Sequence, residues 1–408
     1  MDAGDRCPVA TGPEKAMGDY LRILGGIRVL EIAEGIAGPV CGLQLADLGA
    51  DVIKIEPPGG DRARRWGPPQ AGGSSAIFAH LNRGKSSLVL DLAGQDEGAR
   101  ERDRSALMRL MADADVVVVH QDPGERRASG LDWAALSQSY PKLCICEISH
   151  VGRKGPFAGR AGSELTAQVL AGFHRYAGRP EAPGRVGYEV ASVGTGMAAV
   201  QAVLAMIWRR MHDGRGDHCQ ISVLGTLLSL KQILLAAQSD PERWEGFHLN
   251  GPHWPADIGW QTSDGQVTFD FRHGERDGWV AFCKAVGLDQ LPDDPEYKDW
   301  RSTIYIGDRK ATHGPVYHPA FRRMTSQEAS DLINGLGGIS LKFHDYGEVL
   351  AHPQLAHLDA LVSIPDAPAG AQKQVGTPFR FADAQLADPA PRPAPALDDA
   401  HDLATGRA

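Results

Sequence analysis

The chain has no run of basic residues and no basic patch interleaved with aromatics, so neither nucleic acid nor an anionic membrane surface is expected as its main partner. Its 42 Lys and Arg stand against 51 Asp and Glu, a formal charge of -9. That balance leaves room for one local basic pocket. Cysteine is also scarce: Cys7, Cys41, Cys144, Cys146, Cys219 and Cys283 are scattered. The one close pair, in KLCICEIS, would share a strand face and reads as core thiols rather than a disulfide or zinc pair. A reducing, cytoplasmic compartment is the expectation. The N-terminal stretch MDAGDRCPVATGPEKAMGDY lacks the apolar run of a signal peptide or anchor. No apolar stretch is expected to approach the roughly 20 residues that span a bilayer.

Several catalytic signatures are missing too. The first glycine-rich turn reads EGIAGPVCG, with glycines at 35, 38 and 42, and not G-x-G-x-x-G. This argues against a nicotinamide cofactor, although Glu56 stands where a ribose-binding acid would. No G-x-S-x-G elbow supports a serine triad. Of the 15 histidines, His352 and His357 come nearest to ligand spacing, but five residues apart they do not share a helix face. No metal is expected, and the histidines are expected on the surface. There is no internal repeat.

What is present is alternation. IRVLEI reads as a buried strand, Pro39 to Leu48 as a helix and ADVIKIE as a second strand, a βαβ unit that demands a parallel sheet. SSLVLDL, ADVVVVH and KLCICEIS continue as strands, with a helix expected over about 102–113. The first half is therefore an α/β open sheet of Rossmann type. TGMAAVQAVLAMIWRRMH predicts a long apolar helix closed by arginines and the glycine of DGRGD. HCQISVL follows as a strand and LLSLKQILLAA as a helix. From about Asp240 the chain turns aromatic and polar, with a hairpin around Asp264-Gly265. Helices are expected at DGWVAFCKAVG and TSQEASDLINGL, in a smaller mixed α+β domain. The tryptophans of HWPADIGW either wall an apolar pocket or fill that domain's core. The tail from about Asp383 is rich in Pro and Ala and should lie extended on a surface.

Two sets of residues could carry chemistry. Arg62, Arg64 and Arg65 follow the second strand, and Arg83 with Lys85 precede the third. Strand ends of an open α/β sheet are where ligands bind, and arginines suit polyphosphates, although a solvated charged rim would look the same. The second set is three acids, Glu164, Glu181 and Glu189. Glu181 sits in YAGRPEAPGRVG between Pro180 and Pro183, in a loop held by stiff neighbours.

An ordered series of segments, GIRVLEIAEGIAGPVCGLQLADLGADVIKIEPPGGDRAR, LNRGKSSLVLDL, ADVVVVHQDPG, ISHVGRKGPFAGRAGSE, AGRPEAPGRVG and RGDHCQISVL, resembles the class III CoA-transferase family, also called the CaiB/BaiF family. The resemblance spans nearly the whole chain. It implies a tail over 1–22, a Rossmann-like CoA-binding domain over 23–239, a small domain over 240–350 and a return segment over 351–408, in two interlocked chains. It implies acyl-CoA and carboxylic acid substrates, with coenzyme A as the group carried. The family's loop aspartate, in a context like T-G-x-x-D-G-P-P, matches Glu181, which would attack an acyl-CoA such as succinyl-CoA and pass through anhydride and enzyme-CoA thioester intermediates. CoA would be held by Arg62, Arg64, Arg65, Lys85, Arg126, Arg127 and Ala37. Where family members usually carry a basic residue after the P-G turn, this chain has Ala128, and where they usually carry Asn before it, His120.

The family's racemase branch uses a His-Asp pair and a later Asp, which fall here at Ser163, Glu164 and Ser192, so acyl-CoA racemisation is not expected. Some members pair two homologous chains of which one keeps the nucleophile, as in succinyl-CoA:benzylsuccinate CoA-transferase. Two roles therefore stand: a CoA-transferase with Glu181 as nucleophile, in a homodimer or heteromer, or a non-catalytic, CoA-binding or structural partner subunit of such an enzyme.

Overall fold

The computed structural model describes residues 23–70, 74–176, 178–179, 182–232, 259–271, 276–300, 307–358, 360–364, 370, 372–378 and 392–405. The chain divides into two compact units, Met1–Gly172 with Val186–Gln232 and Leu358–Ala408, and Phe173–Arg185 with Ile233–His357. The boundaries differ from those expected at three places, one of them the start of the second unit's main stretch at Ile233 and not at 240. The loop at 173–185 goes with the second unit, and the return segment begins at Leu358.

In the first unit six strands form one sheet: β1 (Arg28–Ala33), β2 (Asp51–Glu56), β3 (Ser86–Val89), β4 (Val116–His120), β5 (Cys144–Ser149) and β6 (His218–Ser222). They lie in the order β3-β2-β1-β4-β5-β6, every neighbouring pair parallel. This is the doubly wound Rossmann order, and it reverses direction between β1 and β4.

Buried strands of valine and isoleucine divide their side chains between two faces. Val116, Val118, Cys144 and Cys146 join one core with α1 (Ala37–Asp47) and a 24-residue helix, Val190–Asp213. Val117, Val119 and Ile145 join the other with Leu107, Met111 and Trp133. The two cysteines share a face as expected, and among the described residues every cysteine is a free thiol.

Three helices refine the sequence expectations. The one expected over 102–113 begins five residues earlier, as α3 at Glu97–Ala112, because Asp96 accepts from the Ala99 N–H and caps it. α1 opens at Ala37. The long helix, α7 in chain order after α2 (Ala76–Leu81), α4 (Pro123–Ser129), α5 (Trp133–Ser139) and α6 (Glu164–Leu170), ends on left-handed Gly214 as the sequence implies. By length and composition α7 could cross a membrane, with a mean hydropathy of 1.8 over 18 residues, contrary to the expectation that no such stretch exists. Its apolar character has a local cause: Ala199, Val203, Met206 and Ile207 pack into the α1 core.

β3 is the sheet edge, and the chain's end covers it. Ser87 N–H donates to Asp399 Oδ1 at 2.6 Å, Val89 N–H to Asp398 Oδ1 at 2.8 Å, and Ala400 N–H to the Ser87 carbonyl at 2.8 Å. An edge that would otherwise offer bare N–H groups is thereby closed.

The second unit is built on aromatic packing. Trp260–Gln261 pairs antiparallel with Gln266–Val267, which makes the expected hairpin, and helices Arg276–Ala285 and Ser326–Gly335 stand where the sequence put them. Trp260, Phe269, Trp279, Phe282, Tyr317 and Phe321 are buried in one core, so Trp260 is a core residue; Trp254 lies outside the described residues.

Beneath the first unit's sheet ends lies a web of buried charge. Lys54 Nζ sits 2.8 Å from both Glu31 Oε1 and Asp61 Oδ2, all three fully buried, and also donates to the Ala33 carbonyl at 2.7 Å. Burial pulls its pKa down, but the charges of Glu31 and Asp61 outweigh that and hold it above its ordinary value. Lys54→Met would leave Asp61 buried without its cation, a change that costs about 3–5 kcal/mol. Urea unfolding should register that loss, and a midpoint like that of the wild type would contradict it.

Candidate functional site

A cavity of about 870 Å³ opens at the carboxyl ends of β1 and β4, where the strand order reverses, wholly within the first unit. Its floor is the β1–α1 turn, Glu34 to Ala37. Asp61 fixes that turn by accepting from the Gly35 N–H at 3.0 Å and from the Ala63 N–H at 2.8 Å. Glu34 Oε2 accepts in turn from the Arg62 N–H at 2.9 Å. Gly35 has φ +80° and a Cβ there would press on the Trp66 ring, so the turn requires glycine. Gly42 is required for packing, because a Cβ would overlap Glu31 Oε2.

The lining is apolar at Ile36, Trp66, Ile77 and Leu81. Its polar members include Arg62, His120 and His150. His120 ends β4, is 9% exposed, and finds no partner for either ring nitrogen among the described residues. Burial, reinforced by the charge of a protonated His150, pushes its pKa down to about 3. His150 lies 5.1 Å away ring to ring and brings Nε2 within 3.5 Å of Asp122 Oδ1, while its Nδ1 is unpartnered. Burial lowers its pKa too, against the pull of Asp122. Arg62 places Nη1 3.4 Å from Asp122 and leaves a buried Nε without a partner.

The acid end of the lining is already engaged. Glu164 accepts from the Ala191 and Ser192 N–H groups and from Ser192 Oγ, at 2.7–2.8 Å, and from Gln168 Nε2 at 2.8 Å. It therefore neutralises the N-terminus of α7. Burial raises the Glu34 pKa.

The basic residues picked from sequence scatter between two fates. Arg62 and Ala37 line the cavity. Arg65 and Arg127 are exposed, Arg65 donating to the Gly59 carbonyl at 3.0 Å. Arg64 is buried, bidentate to Glu56 at 2.6 and 2.7 Å and stacked over Phe78. Lys85 is fully buried, donating to Glu31 Oε2, the Pro39 carbonyl and Asn82 Oδ1, and burial brings its pKa down to about 8. Arg126 pairs with buried Glu147 at 2.5 Å, a carboxylate shared with Arg153 and His218. Glu181 lies outside the described residues, between Gly178–Arg179 and Ala182–Pro183, which pair antiparallel.

Sequence reading missed Glu34, Trp66 and His150 as cavity residues and put histidines on the surface, a placement that His120 corrects. The usable signal was position: His120 closes the fourth strand, next to the first, where the sheet's order must reverse.

Residues 24–401 match the family described as CoA-transferase family III. The chain is 35% identical over 287 residues to a succinate–glutarate CoA-transferase of Agrobacterium fabrum, covering 67% of this chain and 69% of that one. It is 26% identical to the human succinyl-CoA:glutarate CoA-transferase over 94% of this chain and 86% of the relative. The fold matches the crystal structure of a CaiB/BaiF family protein from Brucella suis with a TM-score of 0.78 and 25% identity, covering 95% of this chain and 98% of that one.

The depressed imidazole of His120 has a measurable consequence. Unfolded, it takes a proton near pH 6.5; folded, only near about 3. Its neutral burial thus contributes fully above pH 6.5, and the contribution is lost as pH falls toward 3, by up to about 1.4 kcal/mol per pH unit. His120→Asn should flatten the acid limb of stability, and denaturant unfolding from about pH 7 to 4.5 checks this. An unchanged slope would refute it.

Proposed function

The chain belongs to CoA-transferase family III and is an enzyme that transfers CoA between acids, and on that premise we propose that it moves CoA from succinyl-CoA to a short dicarboxylic acid such as glutarate, with the acyl end of the thioester in the switch-point cavity. The observation that carries this reading is the cavity itself: about 870 Å³, lined by apolar side chains together with Arg62, His120 and His150, at the place where open α/β sheets bind ligands. The activities named for the relatives from Agrobacterium fabrum and human support the choice of acids.

In this reading Glu181 is the nucleophile. Its carboxylate attacks the donor's acyl carbonyl and expels CoA thiolate, which leaves an acyl-glutamyl anhydride. The thiolate attacks the glutamyl carbonyl and releases the donor acid. A glutamyl-CoA thioester results. The acceptor carboxylate attacks that thioester, and the thiolate then takes the new acyl group and frees Glu181. A carboxylate is ionised at neutral pH, so the protein has only to position it and stabilise the oxyanions. In the same reading exposed Arg65 and Arg127 meet CoA phosphates, while Arg64 and Lys85, bonded to Glu56 and Glu31, act from within by bracing the strand ends.

The enzyme works as a dimer, of like chains or of homologues. Support comes from α7, whose Met197, Leu204, Trp208 and Met211 are exposed at helical spacing, an apolar stripe of the kind that a second chain covers. One sequence feature favours a second reading, a silent partner subunit: residue 181 is Glu where the family carries Asp.

Incubation of the purified chain with succinyl-CoA alone should build the glutamyl-CoA thioester, which hydroxylamine converts and a peptide map locates at Glu181. Glu181→Gln should abolish labelling while CoA still binds. Labelling that persists in this variant would remove Glu181 from the mechanism, and labelling confined to an added homologous chain would establish the silent-partner reading.

A further inference from the structure

Four nitrogen atoms on three side chains around the cavity have no partner among the described residues: Arg62 Nε, His150 Nδ1 and both ring nitrogens of His120. They form one group. Arg62 and His150 meet at Asp122, within 3.4 and 3.5 Å, and His120 stacks beside His150. Buried donors left open in this way are rare in folded proteins, because each one loses its water without compensation. His120 is the sharpest case, a side chain more than nine-tenths buried at the mouth of a roomy cavity.

We propose that Arg62 and His120, with His150 packed beside them, form a clasp for the distal carboxylate of a dicarboxylic acyl group, and so select such acids over monocarboxylic acids of the same length. This rests on the transferase reading for its substrate.

Three features of the geometry favour that occupant. A carboxylate accepts several hydrogen bonds and donates none, which matches the open Nε–H of Arg62 and the single N–H of a neutral His120 ring; His150, whose Nε2 faces Asp122 Oδ1, offers its open Nδ1 as a donor only when the ring is protonated. The guanidinium of Arg62 is the cation of the clasp. Of the acids nearby, Glu164 is held by four donors at the start of α7 and Glu34 by the Arg62 backbone N–H, while Asp122 engages Arg62 Nη1 and His150 Nε2 and leaves Arg62 Nε open. Ile36, Trp66, Ile77 and Leu81, also in the lining, offer a short methylene chain an apolar surface. A purely apolar acyl chain would leave the Arg62 Nε–H and the His120 N–H bare, and sites built to bond a polar group reject analogues that lack it strongly.

The test compares two exchange reactions on the full-length chain, succinyl-CoA with labelled succinate and butanoyl-CoA with labelled butanoate. The acyl groups have the same number of carbons and differ by one carboxylate. Wild type should favour the succinyl pair in kcat/KM by about a hundredfold or more. Arg62→Met and His120→Leu should each lower the succinyl exchange by about tenfold or more and change the butanoyl exchange by less than about threefold. Equal rates for the two pairs in wild type, or an equal fall of both in the variants, would overturn the clasp, since the nitrogens would then serve water or a part common to both substrates.

Equilibrium dialysis of labelled glutarate, with butanoate as control, separates this from failure of the transferase reading. Glutarate binding lost in both variants, with no exchange by any protein, would uphold the clasp and sink the transferase reading. Exchange without glutarate preference would do the reverse. Should His120→Leu not fold, the half-exposed Arg62→Met decides alone.

Discussion

The ammonium of Lys54 is the point on which the first unit's architecture turns. It is fully buried, and a buried cation is tolerable only where carboxylates and carbonyls surround it. Glu31 and Asp61 supply that surround, and each has a second task. Glu31 also takes Lys85, which ties β3 to β1 and α1. Asp61 also takes the Gly35 and Ala63 N–H groups, which ties the β1–α1 turn to the turn after β2. The cavity floor is thus held by electrostatics set one layer below it. Side chains that touch no ligand decide where those that do are placed.

The same layer explains the fate of the basic cluster. In the sequence, arginines and lysines crowded after two neighbouring strands stand out because the chain as a whole is acidic. A linear reading counts charges but not their partners. Glu56, Glu31, Asp47 and Glu147, all on strands or helix α1, reach up to Arg64, Lys85, Arg83 and Arg126, and convert most of the apparent binding surface into internal bracing. Arg62 differs because its nearest acid, Asp122, sits at the rim and leaves Nε open.

What the sequence made legible was whatever repeats along the strands. Runs such as VVVVH and CICEIS announce a sheet buried on both faces, and the glycine after RRMHD announces a helix end, because each rests on a local rule. The start of α3 was misjudged by five residues because its signal is a single Asp96 cap, with a charged first turn that carries little apolar periodicity. The site was harder to read than the fold. His120 and His150 are 30 residues apart in the chain and meet only because β4 and β5 are neighbours with fixed register, His120 opposite Ile148. Glu164 and Ser192, each noticed singly, are joined by a helix start that no spacing rule reports.

The closed edge at β3 also sets a timetable. The Ser87 N–H donates to Asp399, 312 residues downstream. During synthesis at roughly 5–20 residues per second, the edge strand would leave the ribosome some 15–60 s before its cover exists. For that interval the sheet could be assembled in every respect but one, with a row of N–H groups open to any passing strand. The aspartates that end this exposure come only after every strand of the sheet has been made. Until they arrive, the nascent chain carries an open edge of the kind that templates aggregation.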